Sequence, residues 1–146
     1  MPNWCENSTV FSGSEENIAK LKKDLTRPLK AKTANHGWDI IEGEGDEYQT
    51  IKDYDMFFYR TKKALPKEWK NSFVGNLDYL GSKWGVCGPI IVEETDPDTL
   101  AFSYQSAWGP CLQGMARVAS HYELDMFTTY QETGCNFSGV SHYKHS

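Results

Sequence analysis

The sequence lacks any segment suited to crossing a bilayer. Its 146 residues hold no apolar run near the ~20 residues that a spanning helix needs. The opening Met1-Pro-Asn-Trp-Cys-Glu has neither the basic start nor the apolar stretch of a secretion signal. Cationic excess is missing too: 15 Lys and Arg stand against 20 Asp and Glu, a formal charge of −5 with only three arginines. Phosphate neutralisation supplies most of the affinity for nucleic-acid polymers, so a general DNA or RNA binder is excluded. The four cysteines, Cys5, Cys87, Cys111 and Cys135, form no Cys-x-x-Cys pair, which removes a zinc ribbon and a redox motif. Reduced, mostly buried thiols are expected of a chain this long. No Walker loop, Rossmann fingerprint or serine elbow is present. His121 with Cys87 or Cys111 lacks a nucleophile context, and His142-x-x-His145 reads as a frayed tail. The expectation is a protein of the cytoplasm, with no membrane or polynucleotide partner, no metal and no cofactor. Catalytic residues are assigned to none, and the balance leans away from an enzyme.

What is present in excess is aromatic. Five Trp, eight Tyr and seven Phe make up 14% of a chain whose 39% hydrophobic and 24% charged content is that of a folding domain. Charge is segregated along it. Residues 33–55 carry one basic and seven acidic groups, and residues 56–92 carry six basic and two acidic. The acidic block centres on Glu42-Gly-Glu-Gly-Asp-Glu47, which has Glu47 and Asp53 where a calcium loop needs its sixth-position glycine and twelfth-position glutamate. A solvated loop is the simpler reading. The basic block, Arg60, Lys62, Lys63, Lys67, Lys70 and Lys83, reads either as a wet helix face or as an attractor for a small anion.

Residues 4–11 read as a strand, and Ser12-Gly-Ser-Glu15 as a capping box opening a helix with Ile18, Leu21 and Leu25, stopped by Pro28. Residues 29–54 show no clean period and are expected to be loop with at most a short element; Asp55–Arg60 is an aromatic run, and Pro66 can open a helical turn before Trp69. Residues 85–94 read as a strand, Asp96-Pro-Asp-Thr99 as a tight turn, and the alternation of Leu100, Phe102 and Tyr104 as the next strand. Pro110 opens a second helix with Leu112, Met115, Ala116 and Ala119 inward, and residues 125–131 and 135–143 form two more strands. Without residues 28–84, the order is that of an α+β, ferredoxin-like split βαβ sandwich: an antiparallel sheet with two helices on one face, plus one extra strand. A single domain, 1–146, with an insertion at about 28–84 follows, and such insertions are usually functional.

The hairpin turn at Pro97 and Asp98 sets an expected register. It places Trp84–Cys87 opposite Trp108–Cys111, at the sheet end where the second helix begins, and the first helix is expected to start at that same end. Trp84 and Trp108 would stack on a flat ring, Lys83 would meet an anionic group, and Ser82 and Ser106 would bond polar edges. Arg117, one to two turns into the helix, either reaches that end or pairs with Glu123 or Asp125. Each tryptophan has the alternative of closing the core, and Lys83 of being a solvated surface lysine.

Met1-Pro-Asn-Trp-Cys-Glu-Asn with Phe11-Ser-Gly13, Leu80-Gly-Ser-Lys-Trp84, Ser106-Ala-Trp108-Gly-Pro110, and Tyr130-Gln-Glu-Thr-Gly134 with Phe137-Ser-Gly139 together resemble the YubB-like ferredoxin-like domain family of plasmid and phage proteins. Leu80 and Cys111 depart from its motifs, standing where the family has Trp and Pro. The resemblance implies a ferredoxin-like fold and a phage or plasmid setting, and no defined activity. The functional expectation is a non-enzymatic accessory protein that sequesters a small-molecule nucleotide ligand, including cyclic-nucleotide immune signals. Two alternatives stand beside it: an acidic, nucleic-acid-mimicking inhibitor of a host enzyme using residues 39–55, and a small phosphodiesterase or transferase. Spare aromatics and a free sheet edge leave a homo-oligomer open.

Overall fold

The computed structural model describes residues 3–35, 39–69, 73–82 and 84–145. Its elements are β1 (Trp4–Ser12), α1 (Glu15–Leu25), β2 (Lys30–Ala34), β3 (Asp39–Glu42), β4 (Gln49–Thr50), α2 (Phe57–Arg60), a 3₁₀ turn (Lys62–Ala64), α3 (Phe73–Leu80), β5 (Cys87–Asp96), β6 (Thr99–Ala107), α4 (Leu112–His121), β7 (Asp125–Glu132) and β8 (Phe137–Tyr143).

β1 alternates buried Cys5, Asn7, Thr9 and Phe11 with outward neighbours, so one face of its sheet is covered. β6 antiparallel on one side and β7 antiparallel on the other make β1 the central strand, and the full order is β5-β6-β1-β7-β8. Removing the outer β8 leaves the ferredoxin-like α+β sheet expected from the sequence. α1 lays Ile18, Leu21 and Leu25 on the covered face, and α4 adds Met115, Val118 and Ala119. Between them Phe11, Leu100, Phe102, Tyr104, Leu124 and Met126 form the core. Towards the Trp4 end this face turns polar and internally bonded: Thr9 shares hydrogen bonds with Tyr104 (2.9 Å) and Thr128 (2.8 Å), and Asn7 donates to Ser106 Oγ at 2.8 Å. Among the described residues, no buried side-chain nitrogen or oxygen lacks a partner. None of their helices is long and apolar enough to cross a membrane.

Several expectations change. The cap of α1 is Ser14, whose hydroxyl accepts from the Asn17 N–H at 3.1 Å, two residues beyond the capping box read from the sequence. The inward face of α4 holds Gly114 and Val118, while Leu112 and Ala116 are only half-buried, because the helix starts after Cys111 and its stripe is rotated accordingly. The hairpin keeps its turn, pairing Asp96 with Thr99, but irregularities between Cys87 and Ile91 and between Val92 and Glu94 shift the register. Cys87 therefore lies opposite Gln105, three residues short of Trp108. The two helices also begin at opposite ends of the sheet. α1 follows Ser12, which pairs with Thr99, whereas α4 follows Ala107, which pairs with Trp4.

The largest difference is the segment read as loop. β2, β3 and β4 form a second antiparallel sheet in the order β3-β2-β4. Its alternation is masked because so little of it is buried: in β2 only Ala31 is fully covered, and β4 is exposed throughout. Charge pairing between β2 and the turn that joins β3 to β4 replaces apolar periodicity. Lys30 meets Glu44 and Lys32 meets Glu47, each at 3.3 Å, and the Lys32 ammonium lies 5.0 Å over the Tyr48 ring.

Candidate functional site

A buried arginine fixes the inserted segment to the core. Arg60 donates from Nε to Asp55 O (2.7 Å), from Nη1 to Arg27 O (2.6 Å), and from Nη2 to Ile51 O (3.2 Å) and Lys52 O (3.0 Å). It is 5% exposed and so unavailable to an outside anion, which removes it from the basic block as a ligand group. Its carbonyl partners come from the end of α1, the stretch after β4 and the entry to α2. That entry runs through two left-handed non-glycine residues, Tyr54 (φ 71°) and Met56 (φ 60°), each costing on the order of 1–2 kcal/mol that the arginine contacts offset.

α2 then presents consecutive aromatics. Phe57 turns into the core, with its ring 5.2 Å from that of Phe102 and stacked on Phe11 at 6.5 Å. Phe58 meets Phe57 edge-on at 5.2 Å and packs over Gly114 of α4. Gly114 is required there: a Cβ at that position would stand 2.6 Å from Phe58 Cζ. Tyr59 points the other way, its hydroxyl donating to Glu42 Oε2, while Arg27 donates to Glu42 Oε1 at 2.9 Å. Burial and that carboxylate together push the Tyr59 hydroxyl up to about 12. The bonds from Arg27 and Tyr59 hold the Glu42 carboxyl below its ordinary range.

These residues line a cleft of about 160 Å³: Thr33 and Ile40 from the small sheet, Met56, Phe57, Phe58 and Tyr59 from α2 and its entry, then Trp69, Trp84 and Val86. Its indoles are held from behind. Trp69 donates Nε1–H to Asn76 Oδ1 at 3.1 Å, and the Trp84 ring lies 6.1 Å from that of Trp4 at 50°. The volume is close to the ~150 Å³ of a protein cavity known to take benzene, which is room for one flat ring. Lys62, exposed, sits with its ammonium 4.3 Å over the Tyr59 ring. A second, open cleft of about 490 Å³ mixes Lys20, Lys23, Lys63 and His121 with Asp24 and Glu123.

Of the residues singled out in the sequence, Trp84 lines the aromatic cleft. Trp108 lies outside the lining: it is 47% exposed, left-handed at φ 68°, and its N–H donates to Asn3 O at 2.7 Å. Ser82 and Ser106 are buried with internal partners, Ser82 Oγ donating to Ala107 O (3.1 Å) and Ser106 Oγ to Gly109 O (2.5 Å). Arg117 pairs with neither Glu123 nor Asp125. Its Nε donates to Tyr79 O at 3.2 Å and its guanidinium lies 5.6 Å from the Tyr79 ring, which ties α4 to α3. Lys83, Lys70 and His36-Gly-Trp38 lie outside the described residues. Burial pushes the Cys111 thiol up to about 12, and it sits one residue before α4 while His121 ends that helix. All four thiols are unpaired; Cys5 and Cys111 are buried, Cys87 half-buried and Cys135 exposed.

Sequence reading did not find Tyr59, Trp69, Met56 or Ile40 as a group. The available signal was the lysines spaced by two, Lys30 and Lys32, followed by the acidic run. Side chains two apart on a strand share a face, and these lysines meet Glu44 and Glu47, respectively, of the turn between β3 and β4. Those pairs also change the acidic run. Glu42, Glu44 and Glu47 each meet a cation of the same chain, so the run is not a bare negative stripe.

Residues 77–146, from within α3 to the end of the chain, match the family model described as a ferredoxin-like domain in Api92-like protein. The structure is similar to the crystal structure of protein api92 from Yersinia pseudotuberculosis, with a TM-score of 0.64 at 10% identity over 99% of this chain and 95% of that one. At that identity the likeness is one of fold, and it takes in the inserted sheet as well as the core. No curated protein matches the chain. The match shows a ferredoxin-like domain, the kind expected from the motifs, and the family it names is the Api92-like one.

Proposed function

We propose that this protein is a non-enzymatic binder of a small anion carrying one flat ring, with a mononucleotide or one base of a cyclic nucleotide as the best fit. The observation that carries the reading is the cleft itself, a ring-sized space of about 160 Å³ walled by Tyr59, Trp69 and Trp84. Indole faces stack on bases, worth ~1–3 kcal/mol per base. Both indoles are fixed by other parts of the fold, so little ordering is lost on binding. The space admits a base but not a sugar and phosphate, which would remain outside, where the Lys62 ammonium lies 4.3 Å over the Tyr59 ring. The sequence-level site thus contracts to Trp84 and gains Trp69 and Tyr59, with Lys83 kept as a phosphate partner. In a phage or plasmid setting of the YubB-like kind, such a protein acts as a sponge for a nucleotide signal.

Tryptophan fluorescence titrated with AMP, GMP, cyclic AMP and cyclic di-GMP tests this. At least one ligand should change the emission; Trp69→Ala and Trp84→Ala should each weaken binding tenfold or more, by about 1.4 kcal/mol, while Trp108→Ala leaves it unchanged. Chromatography should recover the ligand intact. No response to any of them, or a dependence on Trp108 alone, overturns the reading.

A further inference from the structure

The two free edges of the five-stranded sheet differ in kind. β5 is guarded: it carries Pro89, Glu93, Glu94 and Asp96, and irregularities break its ladder in two places. Proline, charge and bulges are the means by which natural sheets prevent a second strand from adding. β8 has none of them. Its seven residues, Phe137-Ser-Gly-Val-Ser-His-Tyr143, pair with β7 without a register break from Phe137 to Tyr143 and contain neither proline, lysine nor a carboxylate. Val140 is 65% exposed and Phe137 37%.

From this we propose that β8 is an interaction surface for a second copy of the same chain, adding antiparallel across a two-fold axis to give one continuous sheet. The occupant follows from the strand's own near-symmetry about Val140. Centred there, Phe137 faces Tyr143 of the second copy, Ser138 faces His142, Gly139 faces Ser141, and Val140 faces itself. Aromatic meets aromatic, small meets small or polar, and no like carboxylate or ammonium charges are opposed, which is what cross-strand pairing favours. Pairing between residues an even distance apart keeps each side chain on its own face, so α1 and α4 of both copies stay on one side. Phe137 already meets the Tyr130 ring at 6.3 Å, and Lys144 beyond the strand is tied back to Asp125 at 3.0 Å, which draws its charge off the edge.

Sedimentation of the full chain across a dilution series should show a monomer–dimer equilibrium. Val140→Lys sets two ammonium groups face to face and should shift it to monomer with an unchanged far-ultraviolet spectrum. A short bismaleimide should cross-link Val140→Cys in a Cys135→Ser background, and should not cross-link Glu93→Cys on the guarded edge. Monomer at every concentration, a dimer that Val140→Lys leaves intact, or cross-linking through position 93 overturns the proposal. If Val140→Lys fails to fold, the cross-linking pair decides.

Discussion

The two sheets of this molecule are held by different forces. In the large sheet, Phe11, Leu100, Phe102 and Met126 are at most 1% exposed and sit beneath α1 and α4, so its stability is mainly apolar burial. In the small sheet, β3 and β4 bury almost nothing, and what holds them is Lys30–Glu44, Lys32–Glu47, the Arg27–Glu42–Tyr59 contacts and, below, Arg60. Apolar burial is neither screened by salt nor titrated, whereas exposed ion pairs are weak and screened. The cleft takes one wall from each region. Its Phe57 and Phe58 belong to the core, Thr33 and Ile40 come from the small sheet, and Tyr59 is tied to that sheet through Glu42. A site built this way has a rigid stacking surface and a cover of low local stability, the end of the range from which binding loops are drawn.

The largest test of that contrast lies in two truncations. Phe102→Ala should lower the unfolding free energy by about 3–5 kcal/mol in one cooperative transition. Arg60→Met should cost about 3 kcal/mol, because four carbonyls lose a shared, part-buried donor. Hydrogen exchange then separates the two: Phe102→Ala should raise exchange everywhere, and Arg60→Met first in β2 to β4. Equal patterns for both would merge the two regions into one unit.

A smaller effect follows from pH. Glu42 is held below its ordinary value in the folded protein, so its contribution is complete above the unfolded value and fades as pH falls through the lowered one. Tyr59 must keep its proton to donate to Glu42, so its contribution fades as pH rises from about 10 towards about 12. Protection of the β3 amides should therefore drop at both extremes, and Glu42→Gln should flatten the acid limb while leaving the global melt within about 1 kcal/mol. The smallest effect is that of Lys32→Gln, expected to be a slight loss of stability at low salt and nothing measurable at high salt. A salt-independent loss would mean that Lys32 acts through its packing on Tyr48 instead.

The same contrast explains which parts of the fold are legible in the chain. Leu100, Phe102 and Tyr104 alternate because they face a core, and Ile18, Leu21 and Leu25 repeat at helical spacing for the same reason. Asp96-Pro-Asp-Thr99 encodes its own turn. By contrast, β2 to β4 leave no apolar period to read, and the irregular β5 ladder moves Cys87 from Trp108 to Gln105 without any mark in a simple residue count. Arg60 looks like one more surface cation until its four carbonyl partners are seen, and Ser82 and Ser106 look like ligand hydroxyls until Ala107 and Gly109 engage them.

The sequence by itself determined that this is an α+β chain of the split βαβ order, because each of those elements buries a face and burial leaves a period. It determined too that aromatics are in excess and that acid and base are segregated. Only the tertiary structure decided where those aromatics go: a line through Phe11, Phe102, Phe57 and Phe58 fills the core, and Tyr59, Trp69 and Trp84 wall a cleft. The physical reason is that pairings between Glu42 and Arg27, or between Arg60 and the carbonyls of residues 27 and 51, join positions distant in sequence through single polar contacts. Such contacts depend on where the backbone has already been placed, and no local pattern of residues announces them.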